Sequence, residues 1–238
     1  MTDIKGADFR SVNALVRNTQ GALELTGCRG QRFIAAGSAG REIFIHGTPG
    51  NALGAYLNGS EITVFGNAQD AVGDTMNSGK IVVHGNIGDA AGYAMRGGAI
   101  YVKGNAGYRA GIHMKEYGEK KPVIVIGGRA GSFLGEYQAG GTIAVLGIGC
   151  GGQPTVGDYP CTGMHGGKML IRGDMREAGF PESVSCRLIG GDELGESADH
   201  IREFCSLFGA DFGEITASVF TLVTPDSKNP YKRMYVAN

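Results

Sequence analysis

Ile43-Phe44-Ile45-His46-Gly47 is followed by Ile62-Thr63-Val64-Phe65-Gly66, Ile81-Val82-Val83-His84-Gly85 and Ile100-Tyr101-Val102-Lys103-Gly104, with starts 19 residues apart three times running. Each segment alternates apolar and unrestricted positions and is rich in β-branched residues, the pattern of a short strand with one buried face. A glycine then ends it. A fixed period of this length marks a repeat architecture. Other features keep the same phase: Asn67, Asn86 and Asn105 after the turn, Gly54, Gly73, Gly92 and Gly111 further on, then Leu57, Met76, Met95 and Met114.

Outward from this stretch the period continues with insertions. Leu23-Glu24-Leu25-Thr26-Gly27 lies 20 residues before Ile43; Val123 starts a segment 23 residues after Ile100, Ile143 another 20 on, and Met169 another 26 on. Stacked coils about 4.8 Å apart place equal positions directly above one another. The turn glycines Gly47, Gly66, Gly85, Gly104, Gly127, Gly147 and Gly173 then form a ladder where the backbone takes positive φ. Asn67, Asn86 and Asn105 form a side-chain hydrogen-bond ladder, and Leu and Met fill the lumen. A leucine-rich repeat shares the Ile62-x-Val64-x-x-Asn67 core, but Gly88, Gly92, Gly97 and Gly98 fall where its helix would be, each costing about 1 kcal/mol.

The expected fold class is therefore all-β: a single-stranded right-handed parallel β-helix of about eight coils over 22–190. Residues 1–21 supply an N-terminal capping helix with Asp8 as N-cap and Gly21 after its end; 191–238 supply a C-terminal helix, strand and tail. Leu194, Ala198, Ile201, Cys205 and Phe208 make one apolar stripe of that helix, expected to cover the far end. Ile215 to Thr224 reads as a strand, and the proline-bounded segment 225–231 as a tail along the body or toward a partner.

Glycine fills 43 of 238 positions, about 18% against a usual share of about 7%. The net charge is −1 and 19% of residues are charged, which offers no basic surplus for a nucleic acid. No apolar run approaches a membrane span, and the start shows no secretory signal, so the cytoplasm is expected. The five cysteines contain no Cys-x-x-Cys pair, which argues for free thiols over a disulfide framework or a cluster site.

No catalytic signature stands out. Ala36-Gly37-Ser38-Ala39-Gly40 lacks the first glycine of a nucleophile elbow. Gly147-Ile148-Gly149-Cys150-Gly151-Gly152 leads into Gln153-Pro154 instead of a helix, so it is no dinucleotide loop. His46 and His84 lie two coils apart, about 10 Å, too far to share a metal. Insertions into a solenoid usually carry its binding function. The two insertions, 112–121 and 147–163, nominate His113, Lys115, Glu116, Tyr117, Asp158, Tyr159 and His165 as a partner interface, with no catalytic, cofactor or metal residue assigned. An autonomous hydrolase or isomerase would need His113, Glu136, Tyr137 and His165 to converge.

The repeat strings, among them Gly92-Tyr93-Ala94-Met95-Arg96-Gly97-Gly98, Phe133-Leu134-Gly135-Glu136-Tyr137-Gln138-Ala139-Gly140-Gly141 and Gly163-Met164-His165-Gly166-Gly167, resemble the Gly-x-Gly-x-Gly domain at the C-terminal end of the glutamate synthase large (alpha) subunit. The match runs nearly end to end, and the tail Asn229-Pro230-Tyr231-Lys232-Arg233-Met234-Tyr235 resembles the free-standing form found where that enzyme is split. The resemblance implies a non-catalytic scaffold that docks a glutamine amidotransferase subunit and a synthase subunit. FMN and the iron–sulfur cluster would belong to the latter, and no cofactor to this chain. The coil pattern is also similar to that of a formylmethanofuran dehydrogenase subunit, a resemblance that implies a scaffold for a molybdenum or tungsten enzyme.

Overall fold

The computed structural model describes residues 1–227. Along the chain lie β1 (Thr2–Asp3), α1 (Phe9–Asn18), β2 (Ala22–Arg29), β3 (Glu42–Thr48), β4 (Asn58–Phe65), β5 (Ser78–Val83), β6 (Ala99–Val102), β7 (Val123–Ile126), β8 (Ala139–Val145) and β9 (Gly166–Arg172). They are followed by β10 (Val184–Ile189), α2 (Ser197–Phe208), α3 (Phe212–Thr216) and β11 (Phe220–Pro225). The strands form one sheet in the order β1-β2-β3-β4-β5-β6-β7-β8-β9-β11-β10. It is a parallel β-solenoid of about eight turns. Among the described residues no helix is long and apolar enough to cross a membrane.

Register confirms the repeat and corrects its phase once. Leu23, Ile43, Ile62, Ile81 and Ile100 are successive partners, but Ile100 pairs with Ile124, where the spacing argument aligned it with Val123. Gly128 therefore follows Gly104 in the ladder, its N–H donating to Gly104 O at 2.9 Å, and Gly127 lies one residue off the position assigned to it. The reason is local. Val123 to Ile126 is buried on both faces, so alternation carries no phase there, and one residue of slip exchanges lumen for exterior.

The lumen is filled by Leu57, Met76, Met95 and Met114 and by the strand isoleucines, all fully buried. Val12 and Val16 of α1 join this core, and Asn13 Nδ2 donates to Phe33 O at 2.8 Å, so the helix covers the first coil. Asp8 caps it, accepting from Arg10 N at 2.8 Å and Ser11 N at 3.1 Å; the C-cap is Thr19, and Gly21 follows the helix end at φ 74°.

The far end is closed differently from the expectation. β11 pairs antiparallel with β9, β10 pairs antiparallel with β11, and Met175, Ala178, Phe180 and Val184 pack on the lumen there. The parallel register expected over 22–190 thus ends at β9. α2 lies along the flank: Ile201, Phe204 and Cys205 bury against Val82, Tyr101, Val125, Ala144 and Leu170, the outward positions of the strands. Those positions are apolar and need cover, each large side chain gaining about 2 kcal/mol on burial. The segment expected as strand from Ile215 begins inside α3, capped by Asp211 accepting from Glu214 N at 2.8 Å, and extends only from Phe220. The tail string 229–235 lies outside the described residues.

Candidate docking surface

Between strands the chain bends through an alternation of positive φ that the spacing did not reveal. Each bend has three such residues, two apart: Ala52, Gly54 and Tyr56; Ala71, Gly73 and Thr75; Ala90, Gly92 and Ala94; Arg109, Gly111 and His113; Phe133, Gly135 and Tyr137; Tyr159, Cys161 and Gly163. The middle residue faces the lumen, where a methyl at Gly73 would sit 2.6 Å from Ile100 Cδ1. Cys161 takes this place in one coil and is fully buried, its thiol pushed up by burial. A non-glycine residue in this region costs about 1 kcal/mol. Cross-coil hydrogen bonds hold it there, such as His113 N to Glu136 O at 2.9 Å and Tyr137 N to Thr162 O at 2.8 Å.

Outer residues of the bends, with their chain neighbours Tyr93 and Tyr108, stack into two aromatic columns. The His113 ring lies 5.2 Å from Tyr137 and nearly parallel at 8°, with Tyr93 edge-on at 6.0 Å. The second column places Phe133 5.3 Å from Tyr108 and 5.2 Å from Tyr159. Arg109 joins them: its guanidinium lies 4.5 Å from the Tyr108 ring and 5.1 Å from Phe133, while Nε donates to Glu136 Oε2. Glu136 is only 7% exposed, so this charged bond fixes the bend between the columns. It also raises the Arg109 pKa, chiefly through that bond. The surface is aromatic with Arg109 set between its columns, and Tyr and Arg are side chains that partner interfaces favour.

The GXGXG motif family model matches residues 9–221. The chain belongs to this family. It is the family of the glutamate synthase alpha C-terminal domain, the non-catalytic part of those subunits. A similar protein is Uncharacterized protein MJ1350 of Methanocaldococcus jannaschii, 42% identical over 214 residues, covering 87% of this chain and 82% of its own length.

In this GXGXG solenoid the nominated residues divide. His113 stands in the first column and Tyr159, 61% exposed, ends the second. Asp158 is exposed and tied by its backbone, accepting from Phe133 N at 2.8 Å and donating to Ser132 Oγ at 3.1 Å. Lys115 is exposed; Glu116 turns back, Oε1 accepting from Gly141 N at 3.0 Å. Tyr117 belongs to a hairpin with Lys120 and is 67% exposed. His165 Nδ1 donates to its own Gly163 O at 2.9 Å. No acid–base convergence of His113, Glu136, Tyr137 and His165 results: only His113 and Tyr137 stack, and Glu136 is bonded to Arg109.

The second insertion is loop over a shorter stretch than 147–163. Ala130 N donates to Thr155 O at 3.0 Å and Ala130 bridges to Val156, so the coil resumes at Thr155 and only 148–154 projects. Arg129 donates to Pro154 O and Gln153 Oε1 and holds that loop down.

The ladders have different bonds from those expected. Asn67 Oδ1 accepts from Asn86 N, Asn86 Oδ1 from Asn105 N and Asn105 Oδ1 from Arg129 N, each at 2.8 Å, so each amide caps the next coil's backbone. Sequence reasoning missed a second such series: Asp70 accepts from Asp89 N at 3.0 Å and Asp89 from Tyr108 N at 2.8 Å. Its signal was the 19-residue spacing of Asp70 and Asp89. Arg109, Phe133 and Tyr93 were missed as surface residues because a bend phase is visible only in three dimensions. His46, Phe65 and His84 do stack in sequence order at 4.9 and 5.2 Å, and Phe208 of α2 closes on His84 at 5.2 Å. All five cysteines are free, and among the described residues no three His, Cys, Asp or Glu side chains group as metal ligands. Burial pushes the Cys28 thiol up to about 11.

Proposed function

We propose that this chain is a non-catalytic scaffold subunit of a split glutamate synthase-type complex, docking a glutamine amidotransferase subunit and an FMN and iron–sulfur synthase subunit. One observation carries the reading: the lumen that could have formed a chamber is packed solid with Leu57, Met76, Met95 and Met114, while the ordered chemistry lies outside as stacked aromatics clipped by Arg109 and Glu136. Reaction sites are enclosed and converge polar groups. This face is open, and its one buried carboxylate, Glu136, is occupied by Arg109 in holding the bend. Membership of the GXGXG family, whose glutamate synthase domain is non-catalytic, supports the same reading. In this reading the FMN and the iron–sulfur cluster belong to the partner subunit.

Co-purification of the native protein from its own cells, with mass spectrometry of what accompanies it, tests this. An amidotransferase-like chain and a flavin and iron–sulfur chain are expected, and deleting 148–154 or substituting Tyr159→Ala should leave folding intact and reduce their recovery. Molybdopterin-enzyme subunits in their place would move the scaffold to the formylmethanofuran dehydrogenase type. Recovery of a chain that turns over an ester or glycoside alone, and loses that with His113→Ala, would overturn the scaffold role.

A further inference from the structure

A polar cleft lies where the first insertion folds back over the coils. Tyr117 and Lys120 exchange backbone hydrogen bonds at 3.1 Å in both directions, closing a tight hairpin. The stem of Lys120 lies on Gly97, where an added methyl would be 3.0 Å from Lys120 Cβ. Tyr56, 58% exposed and held at φ 57°, belongs to the same cleft. Asn58, Asn77 and Arg96 line it as well, spaced 19 residues apart and so at one position of three successive coils.

The lining is rich in donors and contains no carboxylate. Arg96 and Lys120 are exposed, and among the described residues the side chain of neither has an ion-pair partner. Asn58 uses Oδ1 to accept from Ser78 Oγ at 3.2 Å, which leaves its amide N–H groups available. Two cations brought into one cleft without a counter-charge repel each other, and an anion between them relieves that repulsion. The shape narrows the choice. The lining spans Gly37 to Arg96, three coil steps of about 4.8 Å or ~14 Å, the length of about four residues of extended chain. Exposed tyrosines flank the donors, and Tyr and Arg are the side chains that anchor protein partners.

We infer that this cleft binds an extended acidic peptide segment, with Asp or Glu carboxylates set between Arg96, Lys120 and the two asparagines. The peptide's source, a docked partner subunit, rests on the scaffold reading; its chemistry, carboxylate recognition along an open groove, does not. The test therefore uses the whole chain alone. Fluorescein-labelled hexaglutamate is titrated with wild-type protein and with the Arg96→Glu, Lys120→Glu double variant, following anisotropy. Affinity should fall about tenfold or more in the double variant, with an unchanged thermal midpoint, and should hold in Lys103→Glu, a charge reversal outside the cleft. Unlabelled hexaglutamate should displace the probe far better than free glutarate at equal carboxylate concentration. Absence of binding, equal binding by the double variant, or equally good displacement by glutarate would overturn the inference, the last pointing to a small dicarboxylate. Co-purification of partners is read separately, so cleft binding without partners would fail only the scaffold reading.

Discussion

Gly85 and Gly118 both sit at turns, yet different physics holds each. Gly85 has no positive φ; a methyl there would lie 2.7 Å from Gly66 O and collide with Asn67 Oδ1, which accepts from the next coil. Gly118 has φ 60° and nothing within 4 Å, so only its backbone conformation favours glycine. Gly85→Ala should destabilise by about 3 kcal/mol and Gly118→Ala by about 1 kcal/mol in urea unfolding. Equal costs would mean that coil spacing tolerates a methyl. The spacing of 19 selected Gly66, Gly85 and Gly104 correctly as ladder positions, but their cause is close approach of the coil before. Of the ladder glycines Gly47, Gly147 and Gly173 take the expected positive φ and Gly66, Gly85, Gly104 and Gly127 do not; the bends take it regularly, with alanine, tyrosine and histidine adopting it under hydrogen bonds from neighbouring coils. Such residues leave no mark in a single sequence, because nothing in their chemistry asks for that conformation.

α2 was legible as an amphipathic helix and illegible in its place. Its stripe shows that something covers it; the choice between the solenoid's end and its flank depends on which other surface is apolar. Tyr101 decides in part: fully buried, it donates to Glu203 Oε2 at 2.6 Å, and Glu203 Oε1 lies 2.7 Å from Lys80 Nζ. His200 of the same helix lies 3.5 Å from the Tyr101 hydroxyl and His84 packs edge-on to Phe208. Burial lowers the pKa of both histidines, Lys103 adding to it at His84, while Glu203 and Asp199 partly oppose it at His200. The unfolded chain therefore takes up these protons more readily than the folded one. Their contribution is complete above the ordinary histidine pKa of about 6.5 and is lost as pH falls through the lowered folded values. Glu203, lowered on balance by Lys80 and Tyr101 against its own burial, loses its contribution further down, below the ordinary carboxylate range. The thermal midpoint should drop between pH 7.5 and about 5. A His84→Gln, His200→Gln variant should show a smaller drop; a drop of the same size would place the titration elsewhere.

At the scale of the molecule, a parallel solenoid ends in a strand whose free edge can recruit another chain. β11 and β10 cover the edge of β9 by turning antiparallel, which leaves β10 as the last strand of the sheet, and α1 covers the other end. A chain cut after Gly209 keeps the coils and loses this cover. It should elute as large assemblies in size-exclusion chromatography while circular dichroism retains its strand signal; a stable monomer would show that the antiparallel pair is not the cap.

The sequence by itself determined the repeat, the eight coil strands, the lumen residues, the all-β class and the family, because each follows from local periodicity that stacking makes identical from coil to coil. It also nominated the two insertions. Only the tertiary structure decided the phase of the coil at Val123 to Ile126, the flank position of α2, the antiparallel cap, and the convergence of Arg109, Glu136 and the aromatic columns into one face. These depend on pairing between residues many coils or whole elements apart. Where both faces of a strand are apolar, or a bend takes its conformation from its neighbours, no local pattern records which partner it will meet.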